Sequence, residues 1–311
     1  MARIFVEGWS PEYGSPLDQD EALNPAEGSV DATVELEDWT PIDGSDDGVA
    51  TIAFVDGVRR IDARLTLDDP MTGPVTGICG TFAVGATVWN RAGRRSSVEH
   101  VRVERWAVLA GARSELLPPV NLEPGYSTTT TADRDPTAPI RVLHTKMRKA
   151  EGEIAVELAN GCFVIADGPL NDFAPRPVVG SIKSHRVTYL QPEHNAVVAQ
   201  LAPGQRTPLF GITDYRRYSW YVRLATLPGG HSWTGIVRCE ASGQLPLHDV
   251  RTIADRTAAV LPIVASEAHI DPRAPQNLVP IAALERELRH RMGDQRLVYR
   301  ALREAVMREA S

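Results

Sequence analysis

Two hydrophobic periods alternate along the chain, and the places where one gives way to the other outline its elements. Residues 60–67 carry Ile61, Ala63, Leu65 and Leu67 on one face and Asp62, Arg64 and Thr66 on the other, the period of a half-buried strand. Just before it, Thr51 to Val55 is almost wholly apolar and stops at Asp56-Gly57. That reads as a strand covered on both faces, followed by a turn. Gly80 to Trp89 and Val98 to Val108 are rich in β-branched and aromatic residues and complete a predicted antiparallel meander. The period then changes. Leu143, Met147, Ala150, Ile154 and Leu158 recur at helical spacing, and Asn160-Gly161 ends that helix. A second apolar run, Cys162 to Ala166, stops at Asp167-Gly168-Pro169-Leu170. A helix feeding a fully apolar strand is the pattern of an α/β core.

Further strands are expected at Val178 to Ser184, Tyr218 to Ala225 and Gly235 to Cys239, with a weak one over residues 31–38. Residues 8–30 and 113–139 read as loop. Pro280 suits the first turn of a helix running to about Met292 and capped by Gly293, with Glu285–Arg289 and Glu287–Arg291 as i,i+4 pairs along it. A last helix is expected from Gln295 to Glu309.

The mix of 43% apolar and 23% charged residues excludes global disorder, collagen and coiled coil. No apolar run approaches the roughly 20 residues of a membrane span, and the first residues show no secretory leader. Cys79, Cys162 and Cys239 form no C-x-x-C pair, so they read as reduced thiols of a cytoplasmic protein rather than zinc ligands. The net charge of −7 hides an asymmetry. Residues 1–50 hold thirteen acids and one base, Arg3, so this end carries −12 and the remainder +5. A mildly basic body with an acidic appendage is compatible with a polyanionic partner. The expected organisation is an acidic N-terminal segment (1–50), a core domain (51–292) and a C-terminal helix (293–311).

The chemistry-bearing feature is the repetition of Asp-Gly after two apolar strands. If those strands are neighbours, Asp56 and Asp167 emerge at one place on a sheet. Two close carboxylates repel unless a cation lies between them. Hard oxygen donors suit Mg²⁺ or Mn²⁺, and a pair of such ions can clamp an in-line attack at phosphorus. A third carboxylate is expected from the intervening helix, where Glu151 and Glu157 border the apolar stripe from opposite sides and Glu153 points outward; spacing leaves the first two open. A fourth donor is expected from Asp271 or His269, just ahead of the Pro280 helix. Candidate phosphate binders are Arg59, Arg60, Lys183, His185, Arg216, Arg217 and Arg238, with Tyr215, Tyr218, Trp220 and Tyr221 beside them as stacking or packing residues. A P-loop, a G-x-S-x-G elbow and an H-E-x-x-H helix are absent.

Strand–Asp56-Gly57, meander, Met147-Arg148-x-x-Glu151, strand–Asp167-Gly168-Pro169-Leu170 and Val179-Gly-Ser-Ile-Lys183 resemble the NurA nuclease family over about residues 50–292. The resemblance implies a ribonuclease H-like α/β fold and a Mn²⁺- or Mg²⁺-dependent DNA nuclease acting in end processing. It further implies a homodimer working with a HerA-type hexameric translocase ATPase. Asp56, Glu151 and Asp167 would be the acidic metal ligands. The sequence departs from the family in having Val58 after Gly57 and Asp271-Pro-Arg-Ala-Pro-Gln-Asn-Leu where an Ala-His motif is usual. Two other classes compete: a non-catalytic ribonuclease H-like subunit that binds DNA or docks on the ATPase, and an actin-like kinase, which would need a Thr or Ser soon after the first Asp-Gly.

Overall fold

The computed structural model describes residues 3–6, 29–69, 73–112, 117–170, 175–183, 185, 187–212, 216–271 and 273–309. The chain runs β1 (Arg3–Val6), β2 (Val30–Asp31), β3 (Ile42–Asp43), then the long meander β4 (Thr51–Asp69), β5 (Gly73–Asn90) and β6 (Arg95–Leu109), followed by β7 (Tyr126–Thr130). Helix α1 (Ala138–Leu158) leads to β8 (Phe163–Asp167) and β9 (Val178–Ile182). Then come α2 (Pro192–Gln200), β10 (Gln205–Arg206), β11 (Phe210–Ile212), β12 (Arg217–Arg223), β13 (Ile236–Ser242), α3 (Leu247–Val260), α4 (Val279–Arg291) and α5 (Gln295–Glu309). These strands join one mixed sheet, whose main path is β2-β11-β12-β13-β9-β8-β4-β5-β6-β7. Fold class is thus α/β, with a large sheet flanked by helices.

Asp56-Gly57 is not a turn. The two expected strands on either side of it are one strand, in which Asp56 faces Gly85 and Gly57 faces Val84 of β5. The turn-forming pair stays extended because neighbours press on it. A side chain at Gly57 would meet Glu151 Oε1 at 2.3 Å and Met147 Cγ at 3.0 Å, so α1 lies directly on the bare backbone there. The strand bends further on, where the register slips between Ile61 and Ala63. Asp62 turns inward at that point and is fully buried, accepting hydrogen bonds from Arg60, Thr81 and Tyr126.

The alternation of β4 assigns its faces. Ile52 and Phe54 pack with Phe163, Ile165, Ile253 and Ile281 on the side of α3 and α4. Ala53 and Val55 pack with Val164, Leu143, Met147 and Ile154 on the side of α1. Both faces are covered, which is why β4 and β8 read as nearly continuous apolar runs. The far end of β4 is covered by α5, with Val298 and Leu302 against Ala63 and Leu65. β8 runs parallel to β4 and to β9, while β13 and β12 continue antiparallel.

The acidic segment is no appendage in its described part. β2 pairs with β11 and β3 with β10. Half-buried Glu35 takes a two-pronged ion pair from buried Arg206, at 2.8 and 3.0 Å, and accepts the Leu209 amide. Asp46 pairs with Arg91 and Asp47 with Arg256. Glu35, Asp46 and Asp47 are thus tied to bases of the body. The expected strand at 31–38 shrinks to Val30–Asp31 because the Asp31 carboxylate accepts the Thr33 amide and hydroxyl in a local turn. Helices α2 and α3 were not expected from periodicity, and β7 lies where loop was expected. The loop reading of residues 8–28, and Tyr215, lie outside the described residues. No helix among the described residues is long and apolar enough to cross a membrane.

Candidate metal centre

Parallel pairing places the two Asp-Gly units together. Val55 lies opposite Ala166 in the last registered pair of β4 and β8, so Asp56 and Asp167 are the next residues on adjacent parallel strands. Both point to the α3/α4 side, because they follow the alternation of Phe54 and Ile165. There they meet Glu285 of α4, and oxygens from the three carboxylates lie within 4.8 Å of one another. Gly85, facing Asp56 across the ladder, helps α4 come near: a Cβ there would stand 3.3 Å from Leu288 Cδ2, one turn beyond Glu285.

The electrostatics show strain within this group. Asp56 is only 7% exposed. Burial first, and then the charges of Asp167 and Glu151, push its carboxyl well above the ordinary carboxylate range, against the opposing pull of Lys183. Asp167 is held by Lys183, whose Nζ lies 2.7 Å from Oδ1 and also donates to Asn277 Oδ1 at 2.8 Å. Burial pushes Glu285 up, but hydrogen bonds from Arg273 and Arg289 outweigh it and hold it below the usual glutamate value. Arg273 donates to both Glu285 oxygens at 2.9 and 3.2 Å, and Arg289 to one at 3.0 Å.

Glu151, not Glu157, is the helix carboxylate at the site. It is buried, pairs with Arg148 at 2.6 Å, and lies against the Gly57 backbone from the α1 side of the sheet. It stands beside the group of three rather than within it. Arg148 also donates to the Asp167 and Pro169 carbonyls, tying α1 to the Gly168 turn. Glu157 is solvent-facing and pairs with His100, and Glu153 with Arg102.

Several expected site residues serve elsewhere. Asp271 is buried, but it caps its own loop: its carboxylate accepts from the Arg273 amide and from Asn277 Nδ2. It reaches the site only indirectly, through Asn277 to Lys183 and through Arg273 to Glu285. His269 is largely exposed and pairs with Glu267. Arg60 is committed to Asp62 and to the carbonyls ending α4. Arg217 and Arg238 both pair with Glu240, whose Oε1 also accepts the Leu170 amide. That buried network anchors the strand-to-turn segment carrying Asp167; it presents no guanidinium to a polyanion. Half-buried His185 bonds the Ile236 carbonyl and lies edge-on to Trp233, and burial lowers its titration. Trp220 and Tyr221 are core residues on opposite faces of β12, and Tyr218 packs partly buried on the Trp220 side. Arg59 is half-buried, and Arg216 is exposed with a left-handed backbone. Glu285 is the residue missed. Its spacing to Arg289 reads as a surface ion pair, and only the Leu284–Leu288 apolar stripe beside it hinted that it borders the buried face.

The donor chemistry fits a hard divalent cation. Three carboxylate oxygens converge, two of the acids are buried, and the unfavourable charging of Asp56 is the cost that a cation removes. Compared with models of protein families and with curated proteins, the chain matches none.

Proposed function

We propose that the chain is a divalent-metal-dependent DNA nuclease of the NurA type, built on a ribonuclease H-like fold. The observation that carries this reading is the convergence of Asp56 and Asp167, from adjacent parallel strands, with Glu285 from α4. The strand order β6-β5-β4-β8-β9 supports the fold assignment: an antiparallel meander, then two strands parallel to its first, with α1 in the crossover. In this reading Asp56, Asp167 and Glu285 hold Mn²⁺ or Mg²⁺, and Glu151, whose charge also acts on Asp56, is the further acid a two-ion set would draw on. The cation supplies Lewis-acid polarisation of a phosphoryl oxygen and neutralises developing charge. Lys183 offers a positive charge where a scissile phosphate would lie beside Asp167. The protein reads no base sequence in this scheme, since every contact offered is to charge. The resemblance extends the reading to a cytoplasmic homodimer acting with a HerA-type hexameric translocase in DNA end processing.

The test is Mn²⁺-dependent cleavage of linear DNA by wild type, Asp56→Asn and Glu285→Gln. Cleavage that the two substitutions leave intact overturns the assignment. One observation favours a second reading, a catalytically silent subunit. Three of the four acids already have a basic partner: Lys183 on Asp167, Arg273 and Arg289 on Glu285, Arg148 on Glu151. That reading expects neither cleavage nor a stability response to Mn²⁺.

A further inference from the structure

The residues that hold Glu285 from the solvent side have a second use, and this inference rests on the metal-dependent reading above. Arg273 and Arg289 are 52% and 58% exposed, whereas the Glu285 side chain they grip is 8% exposed. Both oxygens of Glu285 are taken: Oε1 by Arg273, Oε2 by Arg273 and Arg289. The same carboxylate stands within 4.8 Å of Asp56 and Asp167 oxygens. It therefore cannot give its full charge to a cation while the two guanidiniums keep it.

Helical geometry shows what could draw them off. At about 100° per residue, Arg289 lies about 40° round the helix from Glu285 and Arg286 about 100°, on the same side, with His290 beyond. Arg286, Arg289 and His290 are exposed, while Ile281, Leu284 and Leu288 face the sheet on the other side of Glu285. A cationic flank thus begins where the acid site ends. Phosphodiesters are bidentate acceptors for guanidinium and match this flank in charge.

We propose that Arg273 and Arg289 form a phosphate-responsive clamp on Glu285. A DNA backbone lying along the α4 flank draws the two guanidiniums onto its phosphates and frees Glu285 for the cation. DNA and metal then bind with positive, reciprocal coupling.

The experiment titrates Mn²⁺ by the loss of the free-ion paramagnetic signal, with and without a short duplex, each mixture read before cleavage sets in and corrected for the Mn²⁺ held by the duplex alone. It compares wild type, the double variant Arg273→Gln/Arg289→Gln, and Arg286→Gln, whose side chain lies on the flank but outside the clamp. Wild type should bind Mn²⁺ at least about five-fold tighter with DNA present. The double variant should bind Mn²⁺ more tightly than wild type without DNA and show little further gain with it. Arg286→Gln should weaken DNA binding and flatten its salt dependence, yet keep the wild-type coupling. Absent coupling in wild type, or undiminished coupling in the double variant, overturns the clamp. Coupling without cleavage of ordinary DNA leaves the clamp standing and removes the nuclease. A chain that binds neither Mn²⁺ nor DNA removes both.

Discussion

Asp56→Asn should make the metal-free protein more stable. Asparagine keeps the shape of the side chain and the oxygen that accepts the Gly57 amide at 2.7 Å, so packing is conserved. What it removes is a charge held among like charges. Oxygens of Asp56, Asp167 and Glu285 lie within 4.8 Å of one another. At an effective dielectric constant of about 20, such a pair repels by roughly 3–4 kcal/mol. Lys183, Arg273 and Arg289 offset part of that repulsion, leaving an expected gain of about 1–3 kcal/mol at pH 8. The pH dependence follows from the direction of the Asp56 shift. Its folded-state pKa is raised above the ordinary value of 3.8, so between the two values the native state binds more protons than the unfolded chain. Stability from this group is complete below the ordinary value and falls as pH rises through the raised one. The asparagine variant lacks that fall. Thermal or urea unfolding in EDTA across pH 4–9 measures both effects. Adding Mn²⁺ should close most or all of the gap, since a cation at about a hundred times its dissociation constant stabilises wild type by about 2.7 kcal/mol and finds one donor fewer in the variant. A variant no more stable than wild type in EDTA at pH 8, or one with the same pH slope, refutes the idea that like charges crowd this site.

Gly57→Ala should lower both stability and metal-dependent cleavage, because its methyl would meet Glu151 Oε1 at 2.3 Å and Met147 Cγ and Val84 Cγ1 at 3.0 Å; unfolding curves and Mn²⁺ titration check it, and an unchanged protein removes the close approach of α1. Glu240→Ala should cost about 3–5 kcal/mol in urea unfolding, since it strands two buried guanidiniums and the Leu170 amide; a loss under about 1 kcal/mol means that water reaches the network. Glu285→Gln should abolish most Mn²⁺ binding while leaving circular dichroism unchanged, whereas His269→Ala, at an exposed residue paired only with Glu267, should change neither.

The local patterns were sufficient for several of the elements and for two of the three converging acids. Alternation in residues 60–67 falls within the longer β4 and the helical spacing from Leu143 to Leu158 within α1, while the Pro280 and Gln295 helices correspond to α4 and α5 almost to their ends. These features depend on which faces a short segment must bury, and a short segment carries that information. The repeated Asp-Gly after apolar runs marked Asp56 and Asp167 for the same reason: a carboxylate directly after a doubly covered run is conspicuous by polarity, whether the strand ends there, as β8 does, or continues, as β4 does.

What tertiary structure alone decided is which distant residues meet. Glu285 looks like one end of a surface ion pair until Gly85 lets α4 settle beside Asp56. Arg217 and Arg238 look like phosphate binders until the β12–β13 and β13–β9 pairings deliver both to Glu240 and the Leu170 turn. Glu35, Asp46 and Asp47 look like parts of a free acidic arm until Arg206, Arg91 and Arg256 are brought against them. Charge in a sequence has sign but no address. Its partner is set by the folded path of the chain, and in this protein that path determines whether an acid or an arginine stabilises the interior or faces a ligand.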